Sequence, residues 1–437
     1  MSSARRAADV AAVWRLLTQH RDLRLVLSAG LISLTGDWML RIGLSYYIYV
    51  LTGSTLASAM MLLASFMPQV LLGSIAGVFV DRWDRKRTMV ISNLLLAVGL
   101  LPLLLVHSAD RVWVVYAVLA WEGVVQLFFA PAEQAFLPRL VPDDQLVTAN
   151  ALNGQNSDLS RLIGSALGGV LAATGGITAL AIVDAATFLG SALLILLVST
   201  SGRLEPPIVA GSSEVAVGRL TRLFHEWVAG LRMSVSHRVL RLILLFLLVT
   251  SMGEGIMGTL FAPFVRDVLH GSGQAYGLIV SVQAVGGIAG GLVAASIGDR
   301  VRAIHLFGGG AIAFGIIDLV MFLYPLAFVA VWPAVVCMVL VGLPGALMLA
   351  GFMTLFQRNT ADAYRGRVYG AIGLVQAVAV IAGTLGAGFL GESVGIVPIL
   401  AMQGAGYVLA GLAVLMGLRG ESEKPTGVAP VKENAPA

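Results

Sequence analysis

The sequence predicts an all-α membrane protein whose twelve transmembrane helices form two pseudo-symmetric six-helix bundles. Composition comes first: 58% of the 437 residues are hydrophobic and only 12% are charged, against roughly 25% charged in soluble domains. Twelve apolar segments can also be placed, each long enough for the roughly 20 residues that cross about 30 Å of hydrocarbon. Finally, a glycine ladder ending in an acid and a cluster of bases, Gly73, Gly77, Asp81, Arg82, Arg85, Lys86 and Arg87, recurs about 218 residues later as Gly291, Ala295, Asp299, Arg300 and Arg302.

Other landmarks keep nearly the same offset. Gly36-Asp37 answers Gly253-Glu254, Arg139 answers Arg358, and the run Gly164 to Leu171 answers Gly383 to Leu390. Duplication between halves that each hold several spans is a pattern that secondary transporters share.

Taken in order, residues 1–22 are expected to be a cytoplasmic segment. They carry Arg5, Arg6, Arg15 and Arg21 with no short apolar core before a small-residue cleavage site, so the first span should itself direct insertion. The N-terminal bundle, 23–200, holds spans at about 23–51, 54–80, 86–107, 111–135, 148–174 and 177–199. Residues 201–239 form a cytoplasmic linker that begins rich in Pro, Gly and Ser. Its second part places Leu220, Leu223, Phe224, Trp227 and Leu231 opposite Arg219, Arg222, Glu226 and Arg232, the pattern of an amphipathic helix lying in the interface. The C-terminal bundle, 240–418, holds spans at about 240–268, 274–298, 303–324, 329–356, 366–391 and 395–418. The tail 419–437, with Pro425, Gly427, Pro430 and Pro436, is expected to be disordered.

An even number of spans puts both termini on one side, and the basic residues say which. With the termini in the cytoplasm, the bases of the loops fall inside and only Arg111 and Arg266 fall outside. The net charge of +4 then reads as a bias toward the membrane surface, and no nucleic-acid partner is implied. The lone Cys337 excludes an internal disulfide, and 51 glycines suit close helix packing in lipid.

Ionisable groups inside the spans are the candidate site, because each costs about 2.5 to 3.5 kcal/mol near the bilayer centre on insertion scales. Asp37, Arg41, Glu122, Asp158, Arg161, Asp184, Glu254 and Asp318 are therefore expected to line the interior. At about 1.5 Å per residue, Asp37 and Glu254 lie past the midplane and Glu122 and Asp158 near it, around a central cavity. Asp37 and Arg41 are four apart and Asp158 and Arg161 three apart, so each pair can neutralise itself; for Arg161, contact with an anion is an equal alternative. Glu122 and Glu254 have no basic neighbour within a turn, which makes them candidates for binding and releasing a proton. For Asp184 and Asp318 a hydrogen-bonded structural carboxyl is at least as good a reading. In the C-terminal half Met252, Met257, Phe261, Phe264, Phe314, Met348, Phe352 and Met353 offer soft surfaces for bulky apolar ligands, although such residues also simply pack helices.

Motifs for an enzyme are not found. Gly386-Ala-Gly388-Phe-Leu-Gly391 satisfies G-x-G-x-x-G, but it ends an apolar span with no strand before it. There is no Walker loop, H-E-x-x-H pair, G-x-S-x-G elbow or Cys and His metal spacing, so no cofactor, no metal and no direct use of ATP are expected.

The loop after the second span, Gly73-Ser-Ile-Ala-Gly77-Val-Phe-Val-Asp81-Arg82-Trp-Asp-Arg85-Lys86-Arg87, resembles the signature loop of the major facilitator superfamily, with Asp84 where that family usually has Gly. Physically, Gly73 and Gly77 let a neighbouring helix approach, and Asp81 with Arg82, Arg85 and Lys86 can form a latch on the inner side, with Glu133 as a further acidic partner for Arg82 or Arg85. The alternative is that these charges only fix topology.

The stretch Ala130-Pro131-Ala132-Glu133 through Pro138-Arg139-Leu-Val-Pro142, followed by Leu146-Val-Thr-Ala-Asn150, is similar to the branch that contains enterobactin exporters and macrolide or multidrug efflux proteins. Trp121-Glu122 and Arg161 match an acid and an arginine that this branch tends to carry in helices 4 and 5. Exporters of the superfamily often have Gly-Pro in helix 5, and here Gly164-Ser165 stands in its place.

The resemblance implies the major facilitator fold, a bacterial inner-membrane location, a single-chain carrier and proton-coupled export of a small amphipathic molecule by alternating access. A lipid or nutrient carrier without proton antiport, or a membrane sensor that does not transport, are the alternatives.

Overall fold

The computed structural model describes residues 16–80, 83–202, 231–297, 300–360 and 362–419. Most of the linker and the tail therefore lie outside the described residues, with the expected amphipathic helix from Leu220 to Trp227, and so do Asp81, Arg82 and Asp299.

The first six long helices are α1 (Arg21–Thr52), α2 (Thr55–Val80), α3 (Arg85–Gly99), α4 (Val112–Phe136), α5 (Leu146–Thr174) and α6 (Gly176–Leu196). The second six are α7 (Arg238–Pro263), α8 (Gly273–Ile297), α9 (Ala303–Leu323), α10 (Trp332–Arg358), α11 (Asp362–Leu390) and α12 (Ile396–Gly417). They fall on the twelve expected spans.

By length and hydropathy, eleven candidate spans are found among the described residues, and the helix not among them is α5. Its first half carries Asn150, Asn153, Gln155, Asn156, Asp158 and Arg161, more polar atoms than lipid accepts. Part of that polarity is used internally: Asn156 donates to the Leu27 carbonyl at 2.7 Å and Ser160 to the Leu31 carbonyl at 3.2 Å, both on α1.

Local chemistry sets the ends. Gly53 adopts φ 63°, a conformation that costs glycine nothing, and closes α1 with a bond from its N–H to the Tyr49 carbonyl. Pro102 follows α3, whose third span continues only as the 3-10 turn Leu101–Leu105. After Pro263, α7 widens into a π turn over Phe264–Val268.

Packing divides the chain into two compact units, one of Met1–Ala210 with Phe261–Ala284 and one of Gly211–Leu260 with Val285–Ala437. The sequence places the division within 201–239; the structure adds the α7–α8 turn to the first unit, for reasons given below. In the first unit α1 lies along α5 and α6, α2 along α4, and α3 against α4 and α6; in the second, α9 packs on α10 and α12. Apolar residues such as Leu44, Leu103, Val115 and Phe188 fill one core of the first unit, and Leu23, Met89, Phe136 and Ile195 a second.

The duplication read in the sequence is a packing device. A Cβ on Gly164 would lie 2.4 Å from the Thr35 carbonyl oxygen, and one on Gly383 would lie 2.0 Å from that of Met252. Helix 5 thus presses on helix 1, and helix 11 on helix 7, at equivalent points that only glycine permits.

Candidate functional site

In the first unit three helices bring carboxylates together. α1 supplies Asp37, α4 supplies Glu122 and Gln126 one turn apart, and α6 supplies Asp184. Asp184 is fully buried and Glu122 is 8% exposed. Gln126 Nε2 donates to Asp37 Oδ2 at 3.4 Å, and Thr187 Oγ1 donates to Asp184 Oδ1 at 3.0 Å. Gly36 is what lets α6 close in: a Cβ there would stand 2.1 Å from Asp184 Oδ1 and 2.2 Å from Thr187 Oγ1. Asp37, Glu122 and Asp184 consequently lie within electrostatic reach of one another. One oxygen of each, Asp37 Oδ1, Glu122 Oε2 and Asp184 Oδ2, is buried without a hydrogen bond, and an unsatisfied buried carboxylate oxygen is costly.

Beside this cluster a cavity of about 570 Å³ is lined by Arg41, Ser65, Phe66, Gln69, Glu122, Gln126 and Pro131 among others. It joins one cation, one carboxyl and three neutral polar side chains to an apolar wall. That mixture can orient a ligand with an apolar body and a few polar groups.

Sequence spacing misjudges two ion pairs. Arg41 does not close on Asp37; its guanidinium sits 5.7 Å from the Trp38 ring centroid and lines the cavity, while Asp37 takes the Gln126 amide. Asp158 is exposed and Arg161 keeps a buried Nε without a bond, so this pair is not formed either. A helical i,i+3 or i,i+4 spacing permits contact, but an aromatic face on the same helix, Trp38, and an amide from a neighbouring one, Gln126, redirect the side chains.

The second unit has its own polar cluster. Tyr407 of α12 donates to Glu254 Oε1 of α7 at 2.6 Å, and Gln403 Nε2 of the same helix donates to Asp318 Oδ2 of α9 at 3.3 Å. Asp318 is 2% exposed. A Cβ on Gly253 would stand 2.8 Å from Gln403 Cγ, so Gly253 and Gln403 repeat in this unit the arrangement of Gly36 and Asp184. Tyr407 and Gln403 were not singled out in the sequence; a polar residue at the position equivalent to Asp184 was the available signal.

Near the loop after α2, the bases serve helix ends. Asp84, at the departure from the family pattern, caps α3 by accepting from the Arg87 N–H at 2.9 Å. Lys86 Nζ donates to the carbonyls of Leu196 and Val198 at 3.1 and 2.6 Å, at the end of α6, and Arg85 donates to the Ala135 carbonyl at 2.6 Å, at the end of α4. Asp22 completes this end, accepting from the N–H groups of Ser199 and Thr200 and from the Thr200 hydroxyl. Glu133 does not meet Arg85; its Oε1 lies 3.3 Å from where a Cβ on Gly30 would be, facing α1. Gly73 and Gly77 fall in α2, and Asp81 and Arg82 lie outside the described residues.

At the opposite end of the first unit, the α7–α8 turn is fastened to α1 and α5. The Tyr49 hydroxyl bonds the Asp267 carboxylate. Arg266 donates to the Tyr49 carbonyl at 3.0 Å, and the Tyr46 hydroxyl donates to the Gly271 carbonyl at 3.1 Å. Tyr46 also stacks on Tyr276 at 6.0 Å. Gly277 and Gly169 meet backbone to backbone, a Cβ on Gly277 falling 2.8 Å from the Gly169 Cα. These bonds explain why Phe261–Ala284 belongs to the first unit.

The fold and the sequence both have known relatives. An uncharacterized MFS-type transporter of Bacillus subtilis is 25% identical over 408 residues, covering 92% of this chain and 94% of its own. Macrolide efflux protein A of Streptococcus pyogenes is 24% identical over 367 residues, covering 84% and 88%. An enterobactin exporter of Citrobacter koseri is 26% identical over 432 residues, covering 96% and 97%. Among solved structures, a bacterial homologue of the iron transporter ferroportin in an inward-facing state superposes with TM-score 0.71 at 17% identity, covering 91% of this chain and 98% of that one. A peptide transporter gives TM-score 0.69 at 15% identity, covering 90% and 93%; these two likenesses concern the fold alone. Residues 14–428 match the family described as "Transmembrane secretion effector", and the chain is therefore a membrane transporter of the major facilitator superfamily belonging to that family.

Proposed function

We propose that the protein exports a small amphipathic molecule across the inner membrane by alternating access, with both termini in the cytoplasm, and that protons moving down their gradient supply the work. The observation that carries this reading is the cluster of Asp37, Glu122 and Asp184 beside the 570 Å³ cavity. Three carboxyls that share one buried site cannot all hold a negative charge at low cost, so protonation and ligand occupancy are linked there. Arg41 and Gln126 would hold the polar groups of the ligand, and the Phe66 and Pro131 wall its apolar body. In the second unit, Glu254 bonded to Tyr407 is the further candidate for proton exchange. Bases at the inner helix ends, Arg85 and Lys86, with Asp81 and Arg82 of the same loop, would steady the inner side during the cycle, and the Tyr49–Asp267 tie the outer side.

A ligand or a proton shifts such an equilibrium only by binding its two states unequally. The names of the similar efflux and exporter proteins favour outward movement of an organic molecule. The test is transport in proteoliposomes with an imposed pH gradient, reading efflux of candidate amphipathic compounds and movement of protons together. Coupled movement that is lost in a Glu122→Gln, Glu254→Gln double variant is the expected result. Unchanged coupling in that variant removes both acids from the mechanism.

A further inference from the structure

A second cavity lies wholly in the second unit, between α8, α9 and α10. It measures about 550 Å³ and its lining is almost entirely apolar, with Ala289, Gly309, Ala313, Leu343 and Leu347 along its length and His305 at one end. Next to His305, at the entrance of α9, stand the exposed Arg300 and Arg302. At about 1.5 Å per residue, the span from His305 to Ile317 is close to the depth of one leaflet of a hydrocarbon core about 30 Å thick. An apolar slot one leaflet deep with a basic mouth matches one molecule: a phospholipid with an anionic headgroup, its acyl chain in the slot and its phosphate at the bases.

We propose that this groove is a binding site for an anionic diacyl phospholipid of the leaflet that faces Arg300 and Arg302. His305 and Arg302 hold the phosphate, and Gly309 leaves the room in which the chain lies. Glycine at 309 is informative because a Cβ there meets nothing within 4 Å, whereas one on the adjacent Gly310 would lie 2.9 Å from the Met348 backbone nitrogen. Gly310 serves helix contact; at Gly309 no contact requires the small residue. The site is separate from the carboxylate cavity and does not depend on what the protein exports.

The test uses the full-length protein in nanodiscs that contain a phosphatidylglycerol probe with a photoreactive group in its acyl chain, or the matching phosphatidylcholine probe. Labelled peptides are then mapped by mass spectrometry. The expected result is labelling of residues 285–347 by the phosphatidylglycerol probe in preference to phosphatidylcholine. Gly309→Leu and, independently, Ala313→Phe should abolish it with the thermal unfolding midpoint retained. Arg302→Gln should lower the headgroup preference about fivefold, the worth of one base near an anionic surface. Equal labelling by the two probes overturns the headgroup assignment. Labelling of this segment that survives in both groove-filling variants overturns the site. If one variant fails to fold, the other decides.

Discussion

Replacing Gly36 by alanine isolates the contact on which the carboxylate cluster depends. A methyl group at this position would stand 2.1 Å from Asp184 Oδ1 and 2.2 Å from Thr187 Oγ1, so the α6 side chains must retreat by more than an ångström. Overpacking of this kind costs about 1 to 3 kcal/mol, while alanine returns up to about 1 kcal/mol of helix propensity over glycine. The net expectation is about 1 to 2 kcal/mol of destabilisation, read as a fall in the unfolding midpoint of detergent-purified protein. Gly253→Ala is the internal control. Its methyl would come closest to the Cγ of Gln403, at 2.8 Å, with the Cβ at an ordinary 3.5 Å, in a side chain that can turn aside, and the smaller loss is expected there. In proteoliposomes, Gly36→Ala should also alter the dependence of transport on the pH gradient, since Asp184 is displaced relative to Asp37 and Glu122. A Gly36→Ala protein with the wild-type midpoint and pH response, or one milder than Gly253→Ala, would refute the reasoning.

Other outcomes follow from single contacts. Asp84→Ala removes the cap of α3 and should cost about 1 kcal/mol, visible as a lower midpoint in thermal unfolding, with Asp84→Ser recovering most of it. Lys86→Ala leaves the Leu196 and Val198 carbonyls without their cation and should cost about 0.3 to 1 kcal/mol, less at high salt; a loss that is insensitive to salt would contradict the electrostatic account. Gly277→Val drives a side chain into the Gly169 backbone, so amide hydrogen exchange should rise within Phe261–Ala284 while the core helices α3 and α4 stay protected. Tyr407→Phe removes the hydroxyl that bonds Glu254 Oε1 and should shift the pH profile of transport. No shift would separate Glu254 from the proton pathway.

The twelve helices and their duplication were legible because hydrocarbon imposes one length and one polarity on every span, and because the glycines that permit backbone contact recur at fixed places. Gly36 and Gly253, or Gly164 and Gly383, announce themselves in a single chain. Direction of a side chain does not. Arg41 turns to Trp38 of its own helix and to the cavity while Asp37 takes the Gln126 amide of α4, and Glu133 turns to α1 rather than to the loop bases, because helices far away in sequence bring competing surroundings to these side chains. The tie between Tyr49 and Asp267 was invisible for the same reason: nothing in either segment reports its partner.

Symmetry of packing with asymmetry of chemistry is the arrangement that remains. At equivalent points the first unit sets Asp184 against Gly36 and the second sets Gln403 against Gly253; Phe188 stands where the second unit has Tyr407. Duplication alone would preserve both members of each pair, so the polar identities diverged on a packing frame that was held fixed. The three acids of the first unit crowd one another and each keeps one buried oxygen unsatisfied, Asp37 and Asp184 having a neutral donor apiece on the other, whereas Glu254 and Asp318 of the second each accept from a neutral donor and keep no such oxygen among the described residues. A carboxyl that keeps an unsatisfied oxygen and is crowded by two others has more to gain from taking a proton than one whose oxygens are not left without partners. On that ground the first unit is the place where proton uptake should begin, and Asp37→Asn should impair pH-gradient coupling more than Asp318→Asn at equal expression. Equal impairment by the two substitutions would mean that donors and crowding do not set the order.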